Sequence, residues 1–304
     1  MRRIKGLLCI LCFAFLTAAG PALPDGEFFD DFDYESPGDP LLAVRGWRVA
    51  EGILSPPPRT RYAAANVRFA EDPSYPGNMV MYLKAVTENS HASMVLARVE
   101  SEMRFHEGTY AARVFFDNAL RRTRDANIQT FYTINELRFP GDTLYSECDM
   151  EYLSWDIWNT AGNTRSKLYL NTWETYREVP WMPDMASDTL HRHQSGWHTL
   201  LFRAVNGHSV QYYLDKGKEA LAEHRYSPAG STVYPESPMR MAFANWIILR
   251  PGSSPGDSPQ RRESVMGVDW CYFAADTALS AGEVLRRVRE LQKASTDFLD
   301  TLPR

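Results

Sequence analysis

Short runs of alternating hydrophobic and polar residues recur along the chain, and turn-forming residues separate them. No long stretch between residues 27 and 276 has the spacing of an amphipathic helix. Asn206-Gly207 lies between two such runs, which is a strong signal for a type I′ hairpin turn. The predicted strands cover residues 28–33, 46–50, 79–86, 93–100, 109–116, 127–134, 145–153, 166–176, 197–205, 208–215, 238–249 and 265–273. Many strands with frequent turns predict an all-β sandwich or jelly roll.

Two segments depart from this pattern. Residues 251–263 are rich in Gly, Pro and Ser and predict a mobile loop. Residues 280–292 have a helical hydrophobic stripe, and Ser280 and Glu283 stand at the positions of a capping box. The stripe consists of Val284, Leu285, Val288 and Leu291. We expect a short C-terminal helix that packs on the sandwich and is followed by a frayed tail.

The N-terminus has the layout of a secretory signal peptide. Three basic residues precede an apolar run over residues 7–19, which is too short to span a bilayer comfortably. A membrane anchor is the alternative, and the polar sequence that follows at once disfavours it. We therefore predict a signal peptide over residues 1–22, one domain over 27–276, a helix and tail over 277–304, and a secreted or periplasmic protein.

Composition narrows the class of partner. The 304 residues include 44% hydrophobic and 12% aromatic residues, and the net charge is −5. The negative net charge argues against a nucleic-acid partner, since proteins that bind nucleic acid usually have a basic face. We expect a monomer without stable membrane insertion. Cys148 and Cys271 would remain after cleavage, and either a disulfide or two buried free thiols fits the sequence, with the thiols favoured.

The segment 145–153, YSECDMEYL, raises a chemical question. On a strand, Glu147, Asp149 and Glu151 point to one face while Cys148 and Met150 point to the other. A row of like charges costs stability, so the row predicts a function. A solvated edge strand and a Ca²⁺ site are the competing interpretations. The aromatic neighbours disfavour the edge strand, and calcium ligands usually come from loops.

Paired carboxyl groups are what a retaining glycosidase needs. Its nucleophile and acid/base lie about 5–5.5 Å apart. Residues four apart on a flat strand have Cα atoms roughly 13 Å apart, so a strand that carries Glu147 and Glu151 as this pair must curve concavely. Asp149 would then share a proton or hydrogen bond with its neighbours, and close like charges would separate the carboxyl pKa values.

Side chains of matching parity on neighbouring strands are candidates for the same cleft. Sugars stack on aromatic rings and bind polar groups through their hydroxyls. The candidate substrate-binding residues are Asn127, Gln129, Phe131, Asn171, Trp173 and Trp246. Trp155, Trp158 and Trp181 lie in predicted loops and are candidates for the cleft rim or for core packing.

The stretch 127–153, with NIQTFYTI and then ECDMEYL, resembles the catalytic region of glycoside hydrolase family 16. The family signature is Glu-x-Asp-x-Glu followed by an aromatic residue. No extra residue separates Asp149 from Glu151, which resembles the regular-strand branch of lichenases and xyloglucan endotransglucosylases. Further segments of the chain are similar to the family in the family's order. They are residues 96–116, 167–173, 196–215, 238–246 and 268–273.

The resemblance implies a concanavalin A-like jelly-roll sandwich of two curved antiparallel sheets. It implies Glu147 as nucleophile, Asp149 as assisting acid and Glu151 as acid/base, acting on a β-linked polysaccharide with retention. Cys148 and Met150 replace the usual branched aliphatic residues of the motif. A tryptophan-rich segment that is common before the motif is also replaced, which leaves the preferred glycan open.

Three functions remain in view on the sequence alone. The first is a secreted retaining endo-β-glycanase of the β-glucan class, and the others are a non-catalytic carbohydrate-binding sandwich and a transglycosylase. No cofactor is required, and no redox or nucleotide motif is present. By the resemblance, a structural Ca²⁺ is expected near residues 28–33 and Asp269.

Overall fold

The computed structural model describes residues 26–53, 60–88, 93–121, 125–157, 166–248 and 261–303. The predicted signal peptide, Trp158 and most of the predicted loop 251–263 lie outside the described residues. Within the described ranges no helix is long and apolar enough to cross a membrane.

Strands make up most of the described chain. The first nine are β1 (Glu27–Asp30), β2 (Trp47–Val49), β3 (Gly52–Ile53), β4 (Arg61–Tyr62), β5 (Val67–Asp72), β6 (Tyr75–Thr87), β7 (Val95–Ser101), β8 (Gly108–Phe116) and β9 (Ala126–Ile134). The others are β10 (Glu147–Leu153), β11 (Lys167–Arg177), β12 (Met182–Leu190), β13 (Gly196–Ala204), β14 (Val210–Leu214), β15 (Ala222–His224), β16 (Arg240–Ile248), β17 (Arg262–Ala275) and β18 (Phe298–Asp300). The α-helices are α1 (Pro40–Val44) and α2 (Ala281–Lys293).

These strands form two layers. One layer, the cleft sheet, has the antiparallel order β2-β7-β16-β9-β10-β11-β12. The other layer, the back sheet, has the order β5-β6-β17-β8-β13-β14-β15, and β1 and β18 add to it beside β17. The predicted jelly-roll sandwich of curved antiparallel sheets is confirmed.

The core lies between the two sheets. Cys148 and Met150 of β10 are fully buried there, as the strand period predicts. Phe131 of β9 belongs to the same cluster and stacks on Phe243 of β16, with ring centroids 5.1 Å apart. Cys148 and Cys271 are both buried and free, which agrees with the favoured interpretation of these thiols.

The Asn206-Gly207 turn connects β13 to β14 as predicted. Both residues have positive φ angles, 73° and 65°. A type I′ turn requires this conformation at its two central residues. The turn therefore sets the register in which Leu200 lies opposite Leu214.

Strand β12 was not predicted from the sequence. Its segment MPDMASDTL contains proline, serine and two aspartates, which are poor strand formers. It lies at the edge of the cleft sheet and pairs with β11. An edge strand tolerates such residues because one side of it faces solvent.

The C-terminal segment is more ordered than predicted. Helix α2 begins at the predicted capping box, and it packs Val284, Val288 and Leu291 on the outer face of the back sheet. The expected frayed tail is wrong, because residues 298–300 form β18 and pair with β1. A bidentate ion pair holds this strand, with Arg104 Nη1 lying 2.7 Å and Nη2 3.2 Å from the Asp300 carboxylate oxygens.

We expect Ser280→Ala to lower the free energy of unfolding by about 1 kcal/mol, because the Ser280 hydroxyl caps the Glu283 amide of α2. Urea unfolding monitored by fluorescence measures the change. Lys293→Ala, at an exposed position of the same helix, serves as the control. Equal stability of the two variants would contradict a stabilising cap.

Candidate active site

Strand β10 lies near the centre of the cleft sheet, between β9 and β11. Its register with both neighbours runs without interruption from Glu147 to Leu153. The predicted regular strand, without a bulge between Asp149 and Glu151, is confirmed. Glu147 and Glu151 are partly exposed, whereas Asp149 between them is only 3% exposed. The three acids line one cleft, as the strand period predicts.

Each acid of β10 has its own hydrogen-bond donor. The Tyr145 hydroxyl donates to Glu147 Oε2. Trp173 Nε1 donates to Asp149 Oδ2 at 2.9 Å, and Asn171 Nδ2 donates to Glu151 Oε2 at 3.1 Å. Asn171 and Trp173 therefore lie on the predicted face of β11, next to the acids. The Ser187 hydroxyl donates to Asn171 Oδ1 at 2.7 Å and fixes the orientation of that amide.

Burial favours the protonated form of all three carboxyls. Burial and the charge of Glu147 raise the pKa of Glu151 to about 8. Burial and the two flanking glutamates raise the pKa of Asp149 well above its usual range. Burial also raises the pKa of Glu147, but hydrogen bonds from Tyr145 and Asp149 oppose it. Glu147 is thus the best placed of the three to ionise, and Glu151 the best placed to deliver a proton near neutral pH.

The cleft above the acids has a volume of about 440 Å³, within the usual range of about 300–1,000 Å³ for ligand pockets. On one side lie three aromatic rings, Trp173, Tyr176 and Trp181, whose centroids are 5.7–6.2 Å apart. Trp181 is 60% exposed, which places its ring at the rim. On the other side the walls include Trp246, Tyr132, Tyr62 and Arg98.

Three predicted substrate-binding residues do not face this cleft. Strands β9 and β10 pair so that Glu147, Asp149 and Glu151 lie opposite Ile134, Tyr132 and Thr130. Paired residues of neighbouring strands point to the same face of a sheet, so the even-numbered residues of β9 share the face of the acids. The odd-numbered residues Asn127, Gln129 and Phe131 point to the opposite face. The prediction was wrong because the parity of β9 depends on the length of the connection to β10, which the strand pattern does not give.

The three misplaced residues are buried and have other partners. Gln129 bonds the backbone of Asp117 through both ends of its amide, at 2.7 Å each. Asn127 Nδ2 donates to Asn245 Oδ1 at 2.6 Å. Phe131 packs in the core between the sheets. Their places on the cleft face are taken by Thr130, Tyr132 and Ile134.

No protein-family model matches the chain, and no curated protein matches it. Solved structures do. A Bacillus licheniformis β-glucanase is 15% identical, with 82% of this chain and 98% of that chain covered and a TM-score of 0.53. A family 16 endo-glucanase from Bacteroides ovatus, in complex with G4G3G-2F-DNP, is 14% identical, with 80% and 98% covered and a TM-score of 0.58.

A third structure is an immunostimulatory antigen and pseudo β-1,3-glucanase of Mycobacterium tuberculosis. It is 18% identical, with 82% of this chain and 98% of that chain covered and a TM-score of 0.56. This chain has the fold of glycoside hydrolase family 16. At these identities the likeness concerns the fold, and the resemblance predicted from the motif is confirmed at that level.

A second cavity of this family 16 fold lies away from the acids. It has a volume of about 830 Å³ and is lined by Trp155, Asn118 and His193 among others. Trp155 therefore does not line the acid cleft, in contrast to Trp181. The Asp117 carboxylate in this cavity accepts hydrogen bonds from the backbone amides of Ala119 and Val265, at 2.8 and 3.1 Å. The acid cleft is the better candidate for chemistry, although it is the smaller of the two.

The aspartates expected to bind calcium in this fold already have protein partners. Asp30 accepts hydrogen bonds from Tyr34, from Trp47 Nε1 and from the Phe32 amide. Asp269 lies 2.7 Å from Arg113 Nη1 and also accepts from Asn78. No group of three or more His, Cys, Asp or Glu side chains among the described residues could hold a metal ion. The structural Ca²⁺ expected near residues 28–33 and Asp269 stays a prediction.

Tyr145 was noted in the sequence only as a flanking aromatic residue. It is 2% exposed, its amide is bonded to the Asp142 carbonyl, and its ring packs edge-on against Tyr176. Its position two residues before Glu147, at the spacing that the strand period places on one face, is the signal that identifies it. The fixed ring aims the hydroxyl at the Glu147 carboxylate.

We expect Tyr145→Phe to reduce kcat/KM on a β-glycan by about 10- to 100-fold, because a hydrogen bond to a charged group contributes about 1.5–3 kcal/mol. Loss of the donor raises the pKa of Glu147, so the acidic limb of the kcat/KM profile should move to higher pH. Tyr226→Phe, at a 67% exposed ring, is the control. A slower variant with an unmoved acidic limb would contradict the role of the hydroxyl.

We expect Glu151→Gln to raise the free energy of unfolding at pH 9 by on the order of 1 kcal/mol. The pKa of Glu151 is raised to about 8, so the stability that its protonated form contributes is complete below pH 4.5 and is lost as the pH rises through 8. Glutamine stays neutral and avoids this loss. Urea unfolding at pH 4 and pH 9 measures it, with exposed Glu219→Gln as control. An equal gain at both pH values would contradict the titration of Glu151.

Proposed function

We propose that this protein is a secreted retaining endo-β-glycanase that hydrolyses a β-linked polysaccharide of the β-glucan class by double displacement. The observation that carries the proposal is the environment of two glutamates on one strand face. Glu147 has a phenolic donor that favours its ionised form, while burial and the charge of Glu147 keep Glu151 protonated. A nucleophile and a general acid with separated pKa values are what this reaction requires.

In the first step, a carboxylate oxygen of Glu147 attacks the anomeric carbon of the sugar. The bond from that carbon to the glycosidic oxygen breaks, and the Glu151 proton passes to the departing oxygen. The products are a glycosyl ester on Glu147, a shortened glycan and an ionised Glu151. Formation of a covalent ester divides one difficult displacement into two easier ones.

In the second step, Glu151 acts as the base. It takes a proton from a water molecule whose oxygen attacks the anomeric carbon on the opposite side from the ester. The ester bond breaks, Glu147 leaves as a carboxylate, and Glu151 is protonated again. Two inversions give net retention.

Asp149 supports this exchange without forming a bond to the sugar. Burial keeps it protonated, and it can donate its proton as a hydrogen bond to Glu147. Trp173 Nε1 holds its other side. In this arrangement Asp149 stabilises the charge of Glu147 before the attack and again when the ester breaks.

A non-catalytic carbohydrate-binding sandwich is the second candidate. One solved structure with this fold is described as a pseudo β-1,3-glucanase, so the fold also occurs outside active glucanases. All three acids and a donor for each are retained here, and this favours the enzyme.

Azide separates the roles of the two glutamates. We expect Glu147→Ala to abolish turnover, and azide should then attack from the vacated face and give an α-glycosyl azide. Glu151→Ala should retain activity on substrates with good leaving groups, and azide should give a β-glycosyl azide by attacking the ester. Product anomers can be assigned by NMR.

Exposed Glu219→Ala, outside the cleft, should leave wild-type turnover unchanged and serves as the control. The same azide anomer from both glutamate variants would contradict the assigned roles. Inverted sugar from the wild type would exclude the retaining mechanism. A wild type that binds β-glycans without cleaving any would favour the non-catalytic candidate.

A further inference from the structure

One row of registered residues crosses the floor of the cleft. Glu151 of β10 lies opposite Thr130 of β9, Thr130 lies opposite Ala244 of β16, and Ala244 lies opposite Arg98 of β7. We call these four residues the Glu151 row. Neighbouring strands are about 4.8 Å apart, so Arg98 lies about 14 Å across the sheet from Glu151. The two residues between them are small, which leaves a floor over which a glycan chain can lie.

Arg98 brings uncompensated positive charge to the far end of this row. The carboxylate of Glu100, itself 2% exposed, accepts from Arg98 Nη2 at 2.6 Å and also from Arg48. Two guanidinium groups thus share one carboxylate, and one positive charge remains. Arg48 is 64% exposed and well solvated, whereas Arg98 lines the cleft. The surplus charge therefore faces any ligand in the cleft through Arg98.

The surroundings of Arg98 hold it in place and leave room for a ligand. Its guanidinium lies 5.4 Å from the centre of the Tyr62 ring, and Tyr132 flanks it on the cleft side. Along the same row, Thr130 is 3% exposed and its hydroxyl has no protein partner. A polar group without a partner on the floor of a cleft is suited to a polar group of a ligand.

The rest of the cleft adds little negative charge near this row. Burial keeps Asp149 and Glu151 protonated near neutral pH, and Glu178 lies on the opposite side with Trp181. Glu147, the acid best placed to ionise, lies outside this row, opposite Ile134, so a negative group bound at Arg98 would meet one ionised acid of the β10 strand rather than three. Arginine binds carboxylate and sulfate through parallel N–H donors, which a neutral hydroxyl cannot match in charge.

We propose that Arg98, at the end of the Glu151 row, binds an anionic substituent of the glycan, a carboxylate or a sulfate ester, several sugar units from the point of cleavage. This inference rests on the proposed function for its substrate class and names which β-glycans the cleft takes. The protein would then prefer an acidic β-glycan to its neutral parent chain.

The test compares three versions of one β-glycan: the neutral chain, a sulfated derivative and a carboxylated derivative. Binding is measured by calorimetry with Glu147→Gln, and hydrolysis is measured with the wild type. We expect one or both anionic chains to bind at least about 10-fold more tightly than the neutral chain, with a preference that falls as salt rises. The two anionic arms distinguish carboxylate from sulfate.

Variants of Arg98 in the Glu147→Gln background identify the source of the preference. Arg98→Gln should bind neutral and anionic chains alike, and Arg98→Lys should retain part of the preference because it keeps the charge. Arg225→Gln removes the same charge from an exposed ion pair outside the cleft and should keep the full preference. Binding of the neutral chain by Arg98→Gln, together with its melting temperature, verifies that this variant is folded.

Each outcome bears on one proposal or the other. A neutral chain preferred by the wild type, or an anionic preference that survives Arg98→Gln, would overturn the anionic subsite and leave the glycanase proposal intact. Arg98-dependent anion binding without hydrolysis of any chain would support the subsite and contradict the enzyme. Binding of no chain would overturn both.

Discussion

Three carboxyl groups can share one strand face only if most of them keep their protons. Burial of an ionised carboxylate is costly, and three such charges side by side would repel one another. The structure meets this constraint with one donor per acid, Tyr145, Trp173 and Asn171, so each carboxyl has a different protonation preference. The three carboxyl groups are nearly equivalent by themselves, so the differences in their protonation come from the residues around them.

The orientation of the two donors on β11, Asn171 and Trp173, depends in turn on contacts between β11 and the back sheet. Thr172, between Asn171 and Trp173, points into the core. Its hydroxyl lies 2.7 Å from the Tyr212 hydroxyl and 2.9 Å from His224 Nδ1, and Tyr212 also donates to the Asn171 carbonyl. Both partners belong to the back sheet. Buried polar contacts of this kind fix one alignment of the two layers, and with it the aim of Asn171 and Trp173 at the acids.

Properties set by adjacent residues could be predicted from the sequence. The pleat alone separates Glu147 and Asp149 from Cys148, and a capping box marks the start of α2. The prediction of which β11 side chains face the cleft was also correct, and it identified Asn171 and Trp173. The prediction of which β9 side chains face the cleft was wrong, because it depends on how a long connection folds. A shift of one residue moves every side chain of the strand to the opposite face.

Features that depend on distant contacts could not be predicted in the same way. Trp155 lies two residues after the end of β10, yet it lines a different cavity, because the chain turns away at the end of the sheet. Arg98 is an ordinary strand residue until β16 and β9 bring it into line with Glu151. The order of β18 depends on Arg104, which is nearly two hundred residues away.

The pairing of β1 with β18 has a consequence for the order in which the molecule is assembled. Glu27 receives two hydrogen bonds from Arg287 and one from the Tyr272 hydroxyl, and its carbonyl accepts from the Thr301 amide. The first described strand thus has few of its partners until the last one has been synthesised. A ribosome makes chains from the N-terminus at about 5–20 residues per second, and domains usually fold as units. A folding chain must therefore leave the β1 edge of the back sheet unpaired with β18 until residues 298–300 are available.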